Sequence, residues 1–236
     1  MLRLINLELK KNNIRSYVNA CIIITIIMLG MIYLFAYAPK LEPNDIDMKL
    51  FAGYNNILAL YGVIHMSIFC VLASVMYTKF IITEYTGKRT ILLFSYPINR
   101  RTIMLSKIMV VSLFTIIAMF LSNLFILAVF GISETIAPIV EEQFTLHLAL
   151  MSIRTTFVMA LSAISLSIVA TGIGFIKKSV PTTIISAVIG SSLLCNIVAN
   201  SLTNQSATIT FMLFTIVAGI IVTIFLISQA NRMEVE

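Results

Sequence analysis

Charge is scarce in this sequence. Only 11% of the 236 residues are Asp, Glu, Lys or Arg, and 59% are hydrophobic, where a soluble domain carries about 25% and about 45–50%. That balance excludes an ordinary water-soluble fold and points to a chain that spans a membrane. Cysteine is nearly absent too. Cys21, Cys70 and Cys195 each fall inside an apolar run, too few and too buried for a disulfide framework, and they read as small apolar fillers. The two histidines, His65 and His147, sit near the outer ends of such runs; they read as interfacial, and no converging set of metal ligands is expected. Nor is there a GxxxxGK[ST] loop to wrap phosphates. The nearest pieces, Gly87-Lys88-Arg89-Thr90 and Lys177-Lys178-Ser179, do not fit it, so this chain is not expected to hydrolyse ATP.

What the chain has in quantity is long apolar runs, six of them: about 17–37, 57–83, 108–132, 148–176, 181–199 and 207–228. Lipid offers no partner to a backbone N–H or C=O, so each crossing is expected to be helical, and roughly 20 residues suffice for it. None of the runs alternates as a barrel strand would. The second and fourth are long enough to tilt or project. The predicted fold is an all-α integral membrane protein of six transmembrane helices, a single transmembrane domain over 1–236. The first run continues for about twenty residues past Arg15, longer than the roughly 7–15-residue apolar core of a signal peptide, so a retained span is expected.

Cations set the expected orientation. With the N-terminus in the cytoplasm, the inner segments hold 13 of the 16 basic residues: Arg3, Lys10, Lys11, Arg15, Lys79, Lys88, Arg89, Arg100, Arg101, Lys107, Lys177, Lys178 and Arg232. The outer loops then hold six of the ten acids, Glu42, Asp45, Asp47, Glu134, Glu141 and Glu142. Both termini are expected inside. The net charge of +6 is thus a topology signal and a contact with anionic headgroups, not a sign of nucleic acid.

Within the runs there is almost no charge. Arg154 lies near an outer end, where it can snorkel or pair with Glu141 or Glu142. Proton and cation carriers generally need buried acids, so an apolar or amphipathic cargo fits better. Thirteen methionines and fifteen phenylalanines supply soft apolar surface. The fourth and fifth runs are rich in Ser, Ala, Thr and Gly; Ala170 with Gly174 and Ser186 with Gly190 have the small-xxx-small spacing of closely packed helices. A hydroxyl-lined path is the other reading. Glu141-Glu142 is similar to the glutamate pair of intramembrane prenyl-protein endopeptidases, but Leu146 stands where their arginine belongs, and their HxxxN and histidine partners are missing.

Two segments outside the runs are amphipathic. Glu84 to Lys107 carries six of the 26 charged residues. Its Thr90 to Tyr96 is about two helical turns, too short to span, and Pro97 breaks it. Such a piece wants a protein partner or the membrane interface. At the N-terminus, apolar residues at 2, 5 and 9 and charges at 3, 8, 10 and 11 suit a helix lying along the inner interface.

These residues carry a family resemblance. Glu8-Leu9-Lys10-Lys11 ahead of the first run, then Glu84-Tyr85-Thr86-Gly87-Lys88-Arg89-Thr90, Tyr96-Pro97-Ile98, Arg100-Arg101 and Lys107, resemble the membrane subunits of ABC-2-type transporters. Among these the chain is most similar to half-size permeases that export bacitracin, lantibiotics or phenol-soluble modulins from low-GC Gram-positive bacteria. The topology resemblance covers the whole chain; the motifs cover about 8–11 and 84–107. The resemblance implies a separate ATP-binding subunit in two copies, which carries ATP and Mg, while this chain holds no cofactor. It implies a second permease copy or a related permease, an amphipathic peptide cargo, and a path lined by the second and fifth runs. The ATPase-coupling interface would be Glu84, Gly87, Arg89, Thr90, Ile91, Leu92, Phe94, Pro97, Arg100, Arg101 and Lys107. The N-terminal interfacial helix would use Leu2, Ile5, Glu8, Leu9, Lys10 and Lys11. One departure stands out: only about Asn200 to Ser206 separates the last two runs, too short for the long external re-entrant segment of many relatives. Competing readings are a stand-alone receptor or immunity protein without an ATPase, an ABC permease for drugs or lipids, and, more remotely, an intramembrane enzyme.

Overall fold

The computed structural model describes residues 2–41, 51, 53–86, 99–140, 142, 145–200 and 205–232. Every regular element among them is helical: α1 (Leu2–Lys11), α2 (Arg15–Leu41), α3 (Tyr54–Tyr77) continuing into a π-helical turn (Thr78–Ile82), α4 (Arg100–Ile136), α5 (Leu146–Lys177), α6 (Val180–Asn200) and α7 (Gln205–Arg232). Among the described residues, six helices, α2 to α7, are long and apolar enough to cross a membrane, as the all-α reading requires.

Their ends follow local chemistry rather than hydropathy. α4 starts at Arg100, not near Ile108, because Asn99 caps it: its Oδ1 accepts the Arg101 amide at 3.0 Å. The 37 residues of α4 make about 55 Å, well beyond the ~30 Å hydrocarbon core, so the helix projects from the bilayer. Thr145 caps α5 by accepting the Leu148 amide at 3.4 Å. Pro181 sits in the first turn of α6, where a missing amide costs nothing. Helix α3 has Gly53 at its N-cap and no side-chain cap of its own. Glu142, 88 residues away, takes that part, its Oε2 accepting the Tyr54 amide at 3.1 Å.

The core forms three layers along the bundle. At one end Tyr77, Phe80, Met104, Val111, Ile168 and Leu226 pack together; in the middle Met66, Phe69, Cys70, Met119, Ala163 and Ala187; at the other end Met28, Ile32, Tyr54, Ile57, Ile126 and Phe130. Helix α5 is central, touching α3, α4, α6 and α7, and α2 packs on α3 and α4. In lipid the close approach of helices supplies the packing, and small residues permit it. A Cβ on Gly219 of α7 would come within 2.6 Å of Ser165 Cβ and 2.8 Å of its Cα on α5. Gly174 similarly lies against Thr183 of α6. The hydroxyls of Ser162, Ser165, Ser167 and Thr171 all bond carbonyls of their own helix. These side chains are buried, so this part of α5 is a packing surface rather than a hydroxyl-lined path.

One polar expectation is corrected. His65 is not interfacial: it is 1% exposed, lies between Tyr61 and Phe69, and its Nε2 is 3.1 Å from Ser122 Oγ. Thr25 Oγ1 donates to the Cys21 carbonyl at 2.7 Å and lies 2.9 Å from Ser122 Oγ. One proton per hydroxyl then runs the chain from His65 Nε2–H to Ser122 to Thr25, joining α3, α4 and α2. Arg154 is exposed on α5. Of its two candidate partners, Glu142 caps α3 and Glu141 lies outside the described residues. Nearby, buried Glu134 accepts from Tyr54 Oη at 2.8 Å and from the Ile139 amide at 3.0 Å, tying the end of α4 to the start of α3.

Candidate functional site

Three elements meet where α3 ends and α4 begins. The π-helical turn closes with the Thr83 amide on the Thr78 carbonyl at 2.9 Å, and Phe80, Ile81 and Ile82 are all buried in succession. An α-helix would spread three consecutive residues over about 200°; the wider π winding narrows that arc. It delivers Glu84 and Tyr85 to buried positions. From the other side, Lys107 lies two turns into α4 and is 0% exposed.

A buried ammonium demands counter-charge, and Lys107 has two. Its Nζ lies 2.5 Å from Glu84 Oε2 and 2.7 Å from Glu8 Oε1. The second oxygen of Glu84 takes Lys11 Nζ at 2.7 Å, and the buried Asn12 side chain donates to Glu8 Oε2 at 3.4 Å and to the Glu8 carbonyl at 3.3 Å. Two carboxylates and two ammoniums thus form one neutral network across α1, the end of α3 and the start of α4. Burial alone would raise the Glu84 pKa, but Lys107 and then Lys11 outweigh it and hold the carboxyl below its ordinary 4.5. Tyr85, whose phenol burial and the Glu84 and Glu8 charges keep protonated, packs on Phe175 of α5 with centroids 5.7 Å apart.

The same network fixes which face of α1 meets the bundle. Ile5 and Leu9 do pack against the inner core layer, but Glu8 turns inward with them instead of facing water. Positions 5, 8, 9 and 12 share one helical face, and Lys107 supplies the reason for an acid on it. Leu2 and Lys10 lie on α1. Arg100 is half-buried and Arg101 exposed at the start of α4. Glu84 and Lys107 face the interior and each other, not the outside. Gly87, Arg89, Thr90, Ile91, Leu92, Phe94 and Pro97 fall outside the described residues, so the network marks the two stems of the segment that holds them. Asn12 and the π turn have no place in the sequence-based site; of the two, only Asn12, four residues after Glu8, has a spacing that could point to its contact.

A second feature lies at mid-span. A side-opening groove of about 390 Å³ is lined by Ile24 of α2, Ser67, Ile68, Val71, Leu72 and Val75 of α3, and Ser191 of α6. Both serine hydroxyls donate to carbonyls of their own helices, Val63 at 2.9 Å and Val188 at 3.1 Å, which leaves an apolar lining.

Residues 4–193, which include the network and the groove, match the family described as ABC-2 family transporter protein. The chain belongs to that family. It is also 28% identical over 188 residues to YcbO of Bacillus subtilis (strain 168), described as an uncharacterized protein, with 80% of this chain and 81% of that one covered. No solved structure matches it. As an ABC-2 family member with six apolar helices, the chain is a membrane transport component, a multi-pass protein of the bacterial plasma membrane. Membership also implies association with an ABC ATP-binding subunit.

Proposed function

We propose that this ABC-2 chain is the permease subunit of an ATP-driven exporter that moves amphipathic peptides out of a Gram-positive cell. Two separate ATPase subunits carry ATP and Mg, and this chain pairs with a second copy or a related permease. The basic end of the bundle, with both termini, faces the cytoplasm, and the segment 87–98 seats in the ATPase.

The observation that carries the reading is the ion network at the root of that segment. A partner can bias a membrane equilibrium only through contacts that differ between its two states, and force entering at 87–98 must leave through its stems. Both stems are fastened: Glu84 before the segment and Lys107 after it are bonded to each other and to α1. A push on the segment is therefore shared by α3, α4 and α1. An open apolar depression at mid-span, lined mainly by the second span with Ile24 of the first and Ser191 of the fifth, is compatible with that cargo class. Among the described residues the buried charges are Glu84, Lys107 and Glu134, all near helix ends, which suits an apolar or amphipathic cargo over a small ion.

The test is affinity capture of the tagged chain in mild detergent, mass spectrometry of what accompanies it, and an ATPase assay with and without amphipathic peptides. A stoichiometric ATP-binding subunit whose hydrolysis responds to peptide is expected. Recovery of the folded chain alone would overturn the reading in favour of a stand-alone receptor or immunity protein. Hydrolysis that responds to lipids or drugs but not to peptides would overturn the cargo class.

A further inference from the structure

We propose that α1 is a detachable clasp, fastened by charge complementarity over the root of segment 87–98 and released in one nucleotide state of the assembly. The inference rests on the coupling role above, but the argument for detachment is separate.

First, the charges divide evenly. The bundle keeps Lys107 with Glu84, and α1 brings Glu8 with Lys11. Each half is neutral, so α1 can leave without stranding an unpaired charge on either side, the condition that usually makes breaking a buried ion pair so unfavourable. Second, among the described side chains of α1, Ile5 and Leu9 pack on the core, and each is only partly buried. Third, α1 is 10 residues long, shorter than the roughly 12–15 at which an isolated helix is even marginal in water. Its helix depends on docking. Fourth, Lys11, one of the three ion-pair contacts, is 56% exposed, so water and salt reach the rim of the clasp. A short turn, residues 12–14, tethers α1 to α2, which keeps it near its seat for rebinding.

The experiment labels Leu9→Cys with a membrane-impermeant maleimide, read by peptide mass spectrometry so that native thiols do not interfere. Four forms of the full chain are compared in nanodiscs, as purified with any accompanying ATPase. These are the parent; α1 inverted (Glu8→Lys with Lys11→Glu); the bundle pair inverted (Lys107→Glu with Glu84→Lys); and all four inverted. Both half-inverted forms keep an ion pair within the bundle and are expected to fold. Labelling at position 9 should rise at least several-fold in the two half-inverted forms and fall back in the fully inverted one. In the parent it should rise with salt, and it should differ between nucleotide-free protein and protein with ATP and vanadate. Half-inverted forms labelled no faster than the parent would overturn charge docking. Equal labelling in the two nucleotide states, with an ATPase present and active, would overturn release while leaving the permease reading intact. Absence of any ATPase would overturn the permease reading and the nucleotide-driven release with it, while the inversion series would still decide how α1 is held.

Discussion

Lys107 concentrates the account at the scale of one residue. A fully buried cation between two carboxylates is tolerated because the Coulomb attraction of both offsets its desolvation. Lys107→Met leaves Glu8 and Glu84 facing each other and should destabilise the chain by about 3–5 kcal/mol. Lys11→Ala, at the wet rim, should cost under about 1 kcal/mol. Thermal midpoints in detergent distinguish them, and equal losses would argue against a buried hub. Replacing the buried set with apolar residues (Lys107→Met, Glu84→Leu, Glu8→Leu) should return stability close to the parent. The network also sets a pH window. The folded Glu84 pKa is depressed below 4.5, so its stabilisation is fully present above that value and is lost as pH falls through the lower folded pKa. The Glu84 contribution to the α1 seat should therefore persist above the ordinary carboxylate value of 4.5 and be lost only below it, as labelling at position 9 would report. Sequence named Glu8, Glu84 and Lys107 as candidates but could not show that they face one another. Contacts 23 and 99 residues apart have no local signature.

At the scale of elements, helix ends and crossings carry the argument. The π turn sets the phase with which Glu84 leaves α3. The π turn absorbs one extra residue, so deleting the exposed Lys79 should restore α-winding and leave Glu84 in nearly its present phase. The chain should still insert and labelling at position 9 should stay at the parent level; a several-fold rise would show that the π turn does not absorb the extra residue. Between α5 and α7, the approach at Gly219 leaves no room for a methyl group beside the Ser165 backbone. Gly219→Ala should cost about 1–3 kcal/mol by overpacking, whereas Gly30→Ala, with nothing within 4 Å, should not destabilise. Comparable midpoints for the two would refute the tight crossing. The small-xxx-small spacing announced close packing of this kind. It did not announce the partner positions, which depend on crossing geometry, nor the caps at Asn99 and Thr145 that extend α4 and α5 beyond their apolar runs.

For the whole molecule, the six crossings were the most legible feature, because the bilayer fixes both their length and their helical form. The family was legible from short basic and aromatic motifs beside them. The buried His65–Ser122–Thr25 chain and the Glu134–Tyr54 contact were not, since each joins helices through single polar residues in apolar surroundings. In the proposed assembly, segment 87–98 docks the ATPase and its stems pass motion to α3, α4 and α1. The most direct test is Leu92→Asp or Phe94→Asp in the tagged chain, with insertion checked and the accompanying ATPase quantified. The account predicts a normally inserted chain that has lost the ATPase. Normal insertion with the ATPase fully retained would contradict it.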